Sequence, residues 1–95
     1  MSFLLEYNIS DDTIKKIIEN HEESMIFSVL CFKENVLEVI RYLESIHVEV
    51  LDELLINRLE LFLLPKRKIQ ERFEKYNIQV LVELINEDIN VLNNV

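Results

Sequence analysis

The side chains best suited to binding chemistry are five basic residues crowded into one short segment. They are Lys66, Arg67, Lys68, Arg72 and Lys75, half of the ten basic residues in a chain of 95. With two intervening glutamates, segment 65–75 has a net charge of +3, whereas the rest of the chain carries −11. Such a cluster can contact phosphate groups or an acidic groove on a partner, or it can be a solvated helix face with weak ion pairs.

The two histidines do not form a recognisable metal site. His21 lies beside Glu19, Glu22 and Glu23, but no second His or Cys stands at ligand spacing. His47 occupies a position that a turn explains without chemistry. We therefore expect no bound metal, and both histidines are interpreted as structural or solvated.

Nucleophilic catalysis and phosphate-loop chemistry both lack the residues they require. Cys31 is the only cysteine and lies in the apolar run 27–32, where burial would keep its thiol protonated. No third group orients a base toward it. The chain contains no glycine, so no glycine-rich phosphate loop can form. We expect no enzyme activity and no cofactor, and we expect Cys31 to be a small buried residue in a reducing compartment.

The overall charge bears on location and partners. A net charge of −8 opposes non-specific binding to nucleic acid or to an anionic membrane. Charged or polar residues interrupt every apolar run well before the ~20 residues of a membrane span. The first residues show no positive region and no small-residue cleavage site, which are the features of a signal peptide. These features predict a cytoplasmic protein that does not span a membrane, and the acidic charge disfavours nucleic acid as its partner.

A short phrase repeated three times predicts the architecture that positions these residues. It occupies residues 4–9, 43–48 and 73–78. Each copy carries Asn8, His47 or Asn77 where a glycine often ends a helix, because Asn and less readily His accept a left-handed backbone. An apolar helical pattern follows each copy. The spacings of 39 and 30 residues suit a helical repeat.

Apolar periodicity places helices along most of the chain. Helices are predicted over about residues 11–22, 25–32, 35–46, 49–57, 65–76 and 79–92. Periodicity alone cannot separate helix from strand at 25–32, and helix is favoured because no second strand is available to pair with it. Segment 59–64 is either a one-turn helix or a short extended crossing before Pro65. The prediction is a single all-α domain over residues 1–95, a compact bundle or short stack of five to six helices with repeat-like helix-turn-helix units.

Helix starts and buried stripes follow from the same patterns. Ser10 is predicted to cap the first helix, and Asn35 with Glu38 has the spacing of a capping box. In the helix after Pro65, Ile69 and Phe73 are expected to point inward. Other positions expected to face the core are Ile14, Ile17, Ile18, Val80, Leu81, Leu84, Ile85, Ile89 and Leu92.

One stretch of the chain is similar to a known repeat. The succession comprises residues 43–48, Leu51, Leu54-Leu55, Asn57, residues 61–64, Lys68-Ile69 and Phe73. It resembles one repeat of the mitochondrial transcription termination factor type, ordered as helix, Leu-Gly-Phe-like turn, helix, Pro-x-Leu-Leu-like segment and helix. Here His47-Val48 replaces Gly-Phe, and Leu59 stands near the usual proline. The resemblance implies stacked helical units forming a curved surface, which in that family is basic and binds nucleic acid.

The apolar content suggests how such a domain would act. Hydrophobic residues make up 49% of the chain, which fills a small core and can leave a surplus for an interface. Segments 3–5 and 59–64 are the bulkiest connections, and Phe62 joins the five basic residues as a candidate partner contact. We expect a non-enzymatic adaptor or regulator that binds another protein or forms a homodimer. The alternative is a nucleic-acid-associated helical repeat that uses segment 65–75.

Overall fold

The computed structural model describes residues 1–95 and consists of helices without any strand, which confirms the predicted all-α class. The six α-helices are α1 (Asp11–Asn20), α2 (Glu23–Cys31), α3 (Lys33–Ser45), α4 (Leu51–Asn57), α5 (Lys66–Phe73) and α6 (Ile78–Glu87). Three short 3₁₀ helices join them, η1 (Ser2–Tyr7), η2 (Leu59–Leu63) and η3 (Ile89–Asn94). None of these helices is both long enough and apolar enough to cross a bilayer.

The start of α1 is capped as its sequence predicts. The Ser10 hydroxyl oxygen accepts a hydrogen bond from the Thr13 backbone N–H at 3.2 Å. Asp11 and Asp12 occupy the first turn, where the positive end of the helix dipole favours carboxylates. The capping prediction for α1 is therefore confirmed.

Asn35 does not cap α3, contrary to the capping-box prediction. The helix begins at Lys33, so Asn35 lies inside its first turn. The Asn35 side-chain amide instead donates to the backbone carbonyl of Phe62 at 3.0 Å and to that of Leu64 at 2.8 Å. Both carbonyls lie at the end of η2, where a helix leaves acceptors without intrahelical partners. Asn35 thus fastens η2 to α3 across 27 to 29 positions in the sequence.

Two of the three predicted left-handed turns are present. Asn8 has φ 63° and His47 has φ 71°, and these are the only residues with positive φ. Asn77 has φ −68° and ψ 114°, so the prediction is wrong there. Because α5 already ends at Phe73, Asn77 is free to act as the N-cap of α6. Its side-chain oxygen accepts from the backbone N–H groups of Gln79 (3.1 Å) and Val80 (3.3 Å).

The predictions for segments 59–64 and 79–92 are also resolved by the structure. The sequence allows a one-turn helix or an extended crossing at 59–64 and predicts one continuous helix over 79–92. Segment 59–64 forms the one-turn helix η2, and Leu64 becomes extended (ψ 146°) before Pro65, as a residue preceding proline must. The single helix predicted over 79–92 is divided at Asp88. That residue has φ −154°, and its side chain accepts from the Asn90 backbone N–H at 2.9 Å. Asp88 therefore ends α6 and starts η3.

One apolar core joins all these elements. Twenty buried hydrophobic residues form a single cluster, the largest of which are Phe62 and Phe73. Helix α1 packs against α4, α5 against α3, and α6 against η3, while η2 contacts α2, α3 and α4. The central position of η2 explains why so short a segment carries four bulky apolar residues.

Several apolar residues expected in the core are exposed instead. Ile18, Val80 and Leu84 lie on the surface. In α6 the buried positions include Leu81 and Ile85, which place the inward face to one side of the Val80 and Leu84 stripe. Helical spacing identified an apolar arc wider than the core could cover.

Candidate functional site

Helix α5 packs on the core through two apolar residues, which leaves most of its basic residues facing solvent. Ile69 and Phe73 are almost fully buried, as predicted from their spacing. Pro65 precedes the helix and supplies no side-chain cap. The remaining outer surface of α5 is charged.

The five basic residues do not form one continuous patch. Lys66 lies apart, with its Nζ atom 5.9 Å from the centroid of the Tyr42 ring, which is cation–π distance. Arg67 Nε lies 3.9 Å from Glu71 Oε1, a long ion pair between exposed side chains that contributes little. Burial raises the pKa of the Tyr42 hydroxyl, and the nearby charge of Glu74 adds to the effect.

Lys68, Arg72 and Lys75 remain as exposed cations outside the three ion pairs of the chain. Glu71 and Glu74 lie among them in the sequence, so the local positive field is diluted. These three side chains are the part of the predicted cluster that is available to bind an anion.

Phe62 is not a surface contact. It is fully buried in η2, and η2 is enclosed by α2, α3 and α4. The hypothesis that Phe62 anchors a partner is therefore wrong. Its bulk fills the centre of the domain.

His21 has a structural partner. Its ring Nε2 lies 2.7 Å from the backbone carbonyl oxygen of Ile56 and donates to it, since a carbonyl can only accept. This bond ties the end of α1 to the last turn of α4. Nowhere in the chain do three His, Cys, Asp or Glu side chains come together in a way that could hold a metal ion.

A second polar link between α1 and α4 has no counterpart among the predicted residues. The Ser10 hydroxyl donates to Thr13 Oγ1 at 3.0 Å, and Thr13 Oγ1 donates to Asp52 Oδ2 at 3.0 Å. Thr13 is the one buried polar residue. These two hydrogen bonds connect the start of α1, through Thr13, to Asp52 in the first turn of α4. Their effect is to hold α1 on α4.

Cys31 is exposed, which contradicts the prediction that it is buried. Helix α2 turns Val29 inward, and a residue two positions later is rotated by about 200° to the opposite side. The thiol is therefore accessible to reagents in solution.

The most unusual surface of the molecule is the outer side of α2. Phe27 is 67% exposed, Phe32 60% and Leu30 44%. Phe27 and Leu30 lie three positions apart on α2, and Phe32 directly follows its last residue. We call these three residues the α2 face. A helix that is apolar on all sides is normally buried, yet Val29 is the only buried residue of α2. The apolar run of 25–32 suggested a core helix, and only the position of η2 on one side of it reveals the uncovered face.

A smaller apolar surface lies on α6. Tyr76, Val80 and Leu84 are exposed and, with Leu81, line a shallow hollow of about 170 Å³. We call this the α6 groove. It is smaller than the ~300 to 1,000 Å³ of typical small-molecule sites.

A smaller hollow adjoins α5, and one of its lining residues, Arg58, is held by intramolecular contacts. It has a volume of about 120 Å³ and is lined by apolar residues together with Arg58 and Arg72. Arg58 donates to Glu60 Oε1 at 2.8 Å and to Asn93 Oδ1 at 2.7 Å. A cavity of this size holds at most one side chain, so it does not define a ligand site.

The chain matches no protein-family model, no curated protein and no solved structure. The exposed surfaces of α2, α5 and α6 are the observations from which a function can be argued.

Proposed function

We propose that this chain is a small protein-interaction domain, an adaptor or regulator without catalytic activity, whose docking surface is the α2 face. The exposure of Phe27 and Leu30 on α2, together with that of Phe32 directly after its end, is the observation that carries the proposal. Fully burying a large apolar side chain is worth about 1.5 to 3 kcal/mol. Aromatic side chains are also enriched at the energetic centres of interfaces.

The surroundings of the α2 face support the same proposal. Glu23 and Ser24 lie exposed at the start of α2, and Lys33 and Glu34 follow its end. An apolar centre with a polar rim is the usual anatomy of a protein interface. A partner would bind by packing a helix against the α2 face or by accepting α2 in a groove.

A cytoplasmic location is part of the proposal. The exposed Cys31 thiol is the only cysteine and has no partner for a disulfide within the chain. A free exposed thiol is compatible with a reducing compartment.

Site-specific photocrosslinking in the source cell tests the docking surface. Replacing Phe27 with p-benzoyl-phenylalanine keeps an aromatic group in the α2 face, and Lys15, exposed on α1, is the matched control position. We expect discrete protein adducts from position 27, absent from position 15 and lost when Phe32→Glu is added. The absence of adducts at position 27, or identical adducts from both positions, would contradict the proposed function.

A second candidate is a nucleic-acid-associated helical domain that uses segment 65–75. Exposed Lys68, Arg72 and Lys75 without ion pairs favour it, and the resemblance of residues 43–73 to a nucleic-acid-binding repeat supports it. Salt separates the two candidates. Binding to phosphates weakens steeply as salt rises, whereas an apolar interface changes little.

A further inference from the structure

We infer that the α2 face is covered by the α2 face of a second copy of this chain, with the two helices packed antiparallel about a two-fold axis. This inference rests on the proposed function, since it names the partner of the same surface. A two-fold interface uses the same patch on both copies, so the patch must complement itself. Shape, charge and area each bear on that requirement.

The sequence of α2 is suited to burial on two sides. Between Glu23 and Lys33 the helix contains no charged residue, and five of its nine residues are large apolar ones or aromatic. Its inner side rests on η2 and α3. A second α2 would supply the missing outer layer and convert the helix into the core element that its composition predicts.

Charges at the two ends of α2 favour the antiparallel arrangement over the parallel one. Glu23 begins the helix and Lys33 lies just beyond its end, ten positions apart or roughly 15 Å at 1.5 Å per residue. Both side chains are exposed, and neither takes part in an ion pair of the chain. Antiparallel packing brings each Glu23 toward the other copy's Lys33, whereas parallel packing sets the exposed carboxylates of Glu22 and Glu23 beside those of the other copy. Glu34, which follows Lys33, reduces the attraction in the antiparallel pair without removing this difference. Such charges fix orientation more than they add affinity.

The available area fits a weak, reversible dimer. An exposed aromatic side chain offers roughly 150 to 250 Å², so the exposed fractions of Phe27, Leu30 and Phe32 correspond to about 300 to 400 Å² of apolar surface per copy. Two copies with a polar rim reach the lower end of specific interfaces, below about 1,200 Å² in total. We expect dissociation at micromolar protein concentration.

Sedimentation of the full chain from about 1 μM to 500 μM tests the inference, a range that brackets micromolar dissociation constants. We expect a monomer–dimer equilibrium. Phe27→Glu should yield a helical monomer across the range, because the side chain makes little contact within its own copy. Leu84→Glu, at an exposed apolar position in the α6 groove (44% against 67% for Phe27), is the control and should leave the dimer intact. The Cys31 thiol should react more slowly with a maleimide as the concentration of the unaltered chain rises, and at a constant rate in Phe27→Glu.

Charge exchange provides a second readout that does not alter the apolar residues. Glu23→Lys alone and Lys33→Glu alone should each raise the dimer dissociation constant by about tenfold or more at low salt, since each creates two like-charge contacts. The double variant Glu23→Lys/Lys33→Glu should recover the original value. Recovery is specific to an antiparallel self-pairing of these residues.

Three results would overturn the inference. They are a monomer at every concentration, a dimer that survives Phe27→Glu, and a dimer that Leu84→Glu dissociates. A monomer whose position 27 crosslinks to a different protein would reject the second copy and leave the proposed function standing. A monomer that gives no adduct would reject both.

Discussion

Helices α2 and α5 are two surface elements of similar length with opposite designs. Helix α5 is largely charged and is held by two deeply buried residues, Ile69 and Phe73. Helix α2 is almost uncharged and is held by one, Val29. The outer side of α5 carries charged side chains, which water solvates favourably. The outer side of α2 carries apolar side chains, whose exposure to water is unfavourable. The surface that needs explanation therefore lies on α2, although the clustered charges in the sequence lie on α5.

The contrast also concerns what each surface does for the folded monomer. Apolar area that stays in contact with water contributes nothing to folding, so the α2 face is not retained for the stability of a single copy. The basic side chains of α5 are solvated, so they cost the folded monomer little. The folding of a single copy accounts for the buried residues of α5 and does not account for the α2 face.

The largest expected effect comes from comparing the two phenylalanines of these helices. Phe73→Ala should lower the free energy of unfolding by about 3 to 5 kcal/mol, because it leaves a cavity beneath α5. Phe27→Ala should change it by less than ~0.5 kcal/mol, as surface substitutions do. Urea unfolding at a protein concentration below dimer formation measures both. Equal losses for the two variants would remove the distinction between an anchored α5 and an uncovered α2.

A smaller effect should follow from loosening η2, the element beneath α2 that also leads into α5. Asn35→Ala leaves the carbonyls of Phe62 and Leu64 without their donor and should cost about 1 to 3 kcal/mol. Asn57→Ala is the control, since its amide donates only to the Glu53 carbonyl in its own exposed helix. That variant should be near neutral in the same unfolding measurement. If Asn35→Ala is also neutral, the link from α3 to η2 does not support these two helices.

Two residues outside α2 and α5, Asn77 and His47, should respond oppositely to replacement by glycine, because Asn77 caps a helix and His47 has a left-handed backbone. Asn77→Ala should cost about 1 kcal/mol by removing the cap of α6, and Asn77→Gly only a few tenths. His47→Gly should stabilise the fold by up to about 1 kcal/mol, since a left-handed backbone strains any residue with a Cβ atom. Thermal unfolding of the three variants checks the signs. A stabilising Asn77→Gly would restore the left-handed turn that the repeated phrase predicts.

The sequence predicts the elements of this fold better than their faces. The Ser10 cap and the inward Ile69 and Phe73 follow from local spacing, because capping and periodicity depend on neighbours within one or two turns. The helical state of 25–32 follows instead from the lack of a second strand to pair with it. Asn35 illustrates the limit. It has capping chemistry, but its partners lie 27 and 29 positions away, and local patterns contain no such information.

The candidate site was harder to predict for the same reason. Phe62 and Phe27 both lie in apolar runs, and only the packing of η2 decides that the first is buried and the second exposed. Cys31 is exposed because Val29 points inward. An apolar helix without a polar stripe gives no sign in its sequence of which side will be covered. The exposure of the α2 face therefore cannot be predicted from local sequence patterns, because it depends on the tertiary arrangement.

The smallest expected effect is on α5, where reversing charge should alter neither the fold nor any nucleic-acid affinity. The triple variant Arg67→Glu/Lys68→Glu/Arg72→Glu should remain folded. Each of the three substitutions should change the free energy of unfolding by no more than ~0.5 kcal/mol, because all three side chains are exposed. The unaltered chain should not shift duplex DNA or RNA at low micromolar protein in about 150 mM salt. The domain measures 34 × 23 × 23 Å, so the acidic remainder of the chain lies within a few Debye lengths of ~8 Å from the +3 segment. Its charge of −11 opposes the approach of any polyphosphate. A mobility shift that the triple variant abolishes would reverse the comparison, making α5 the functional helix and the nucleic-acid role the leading one.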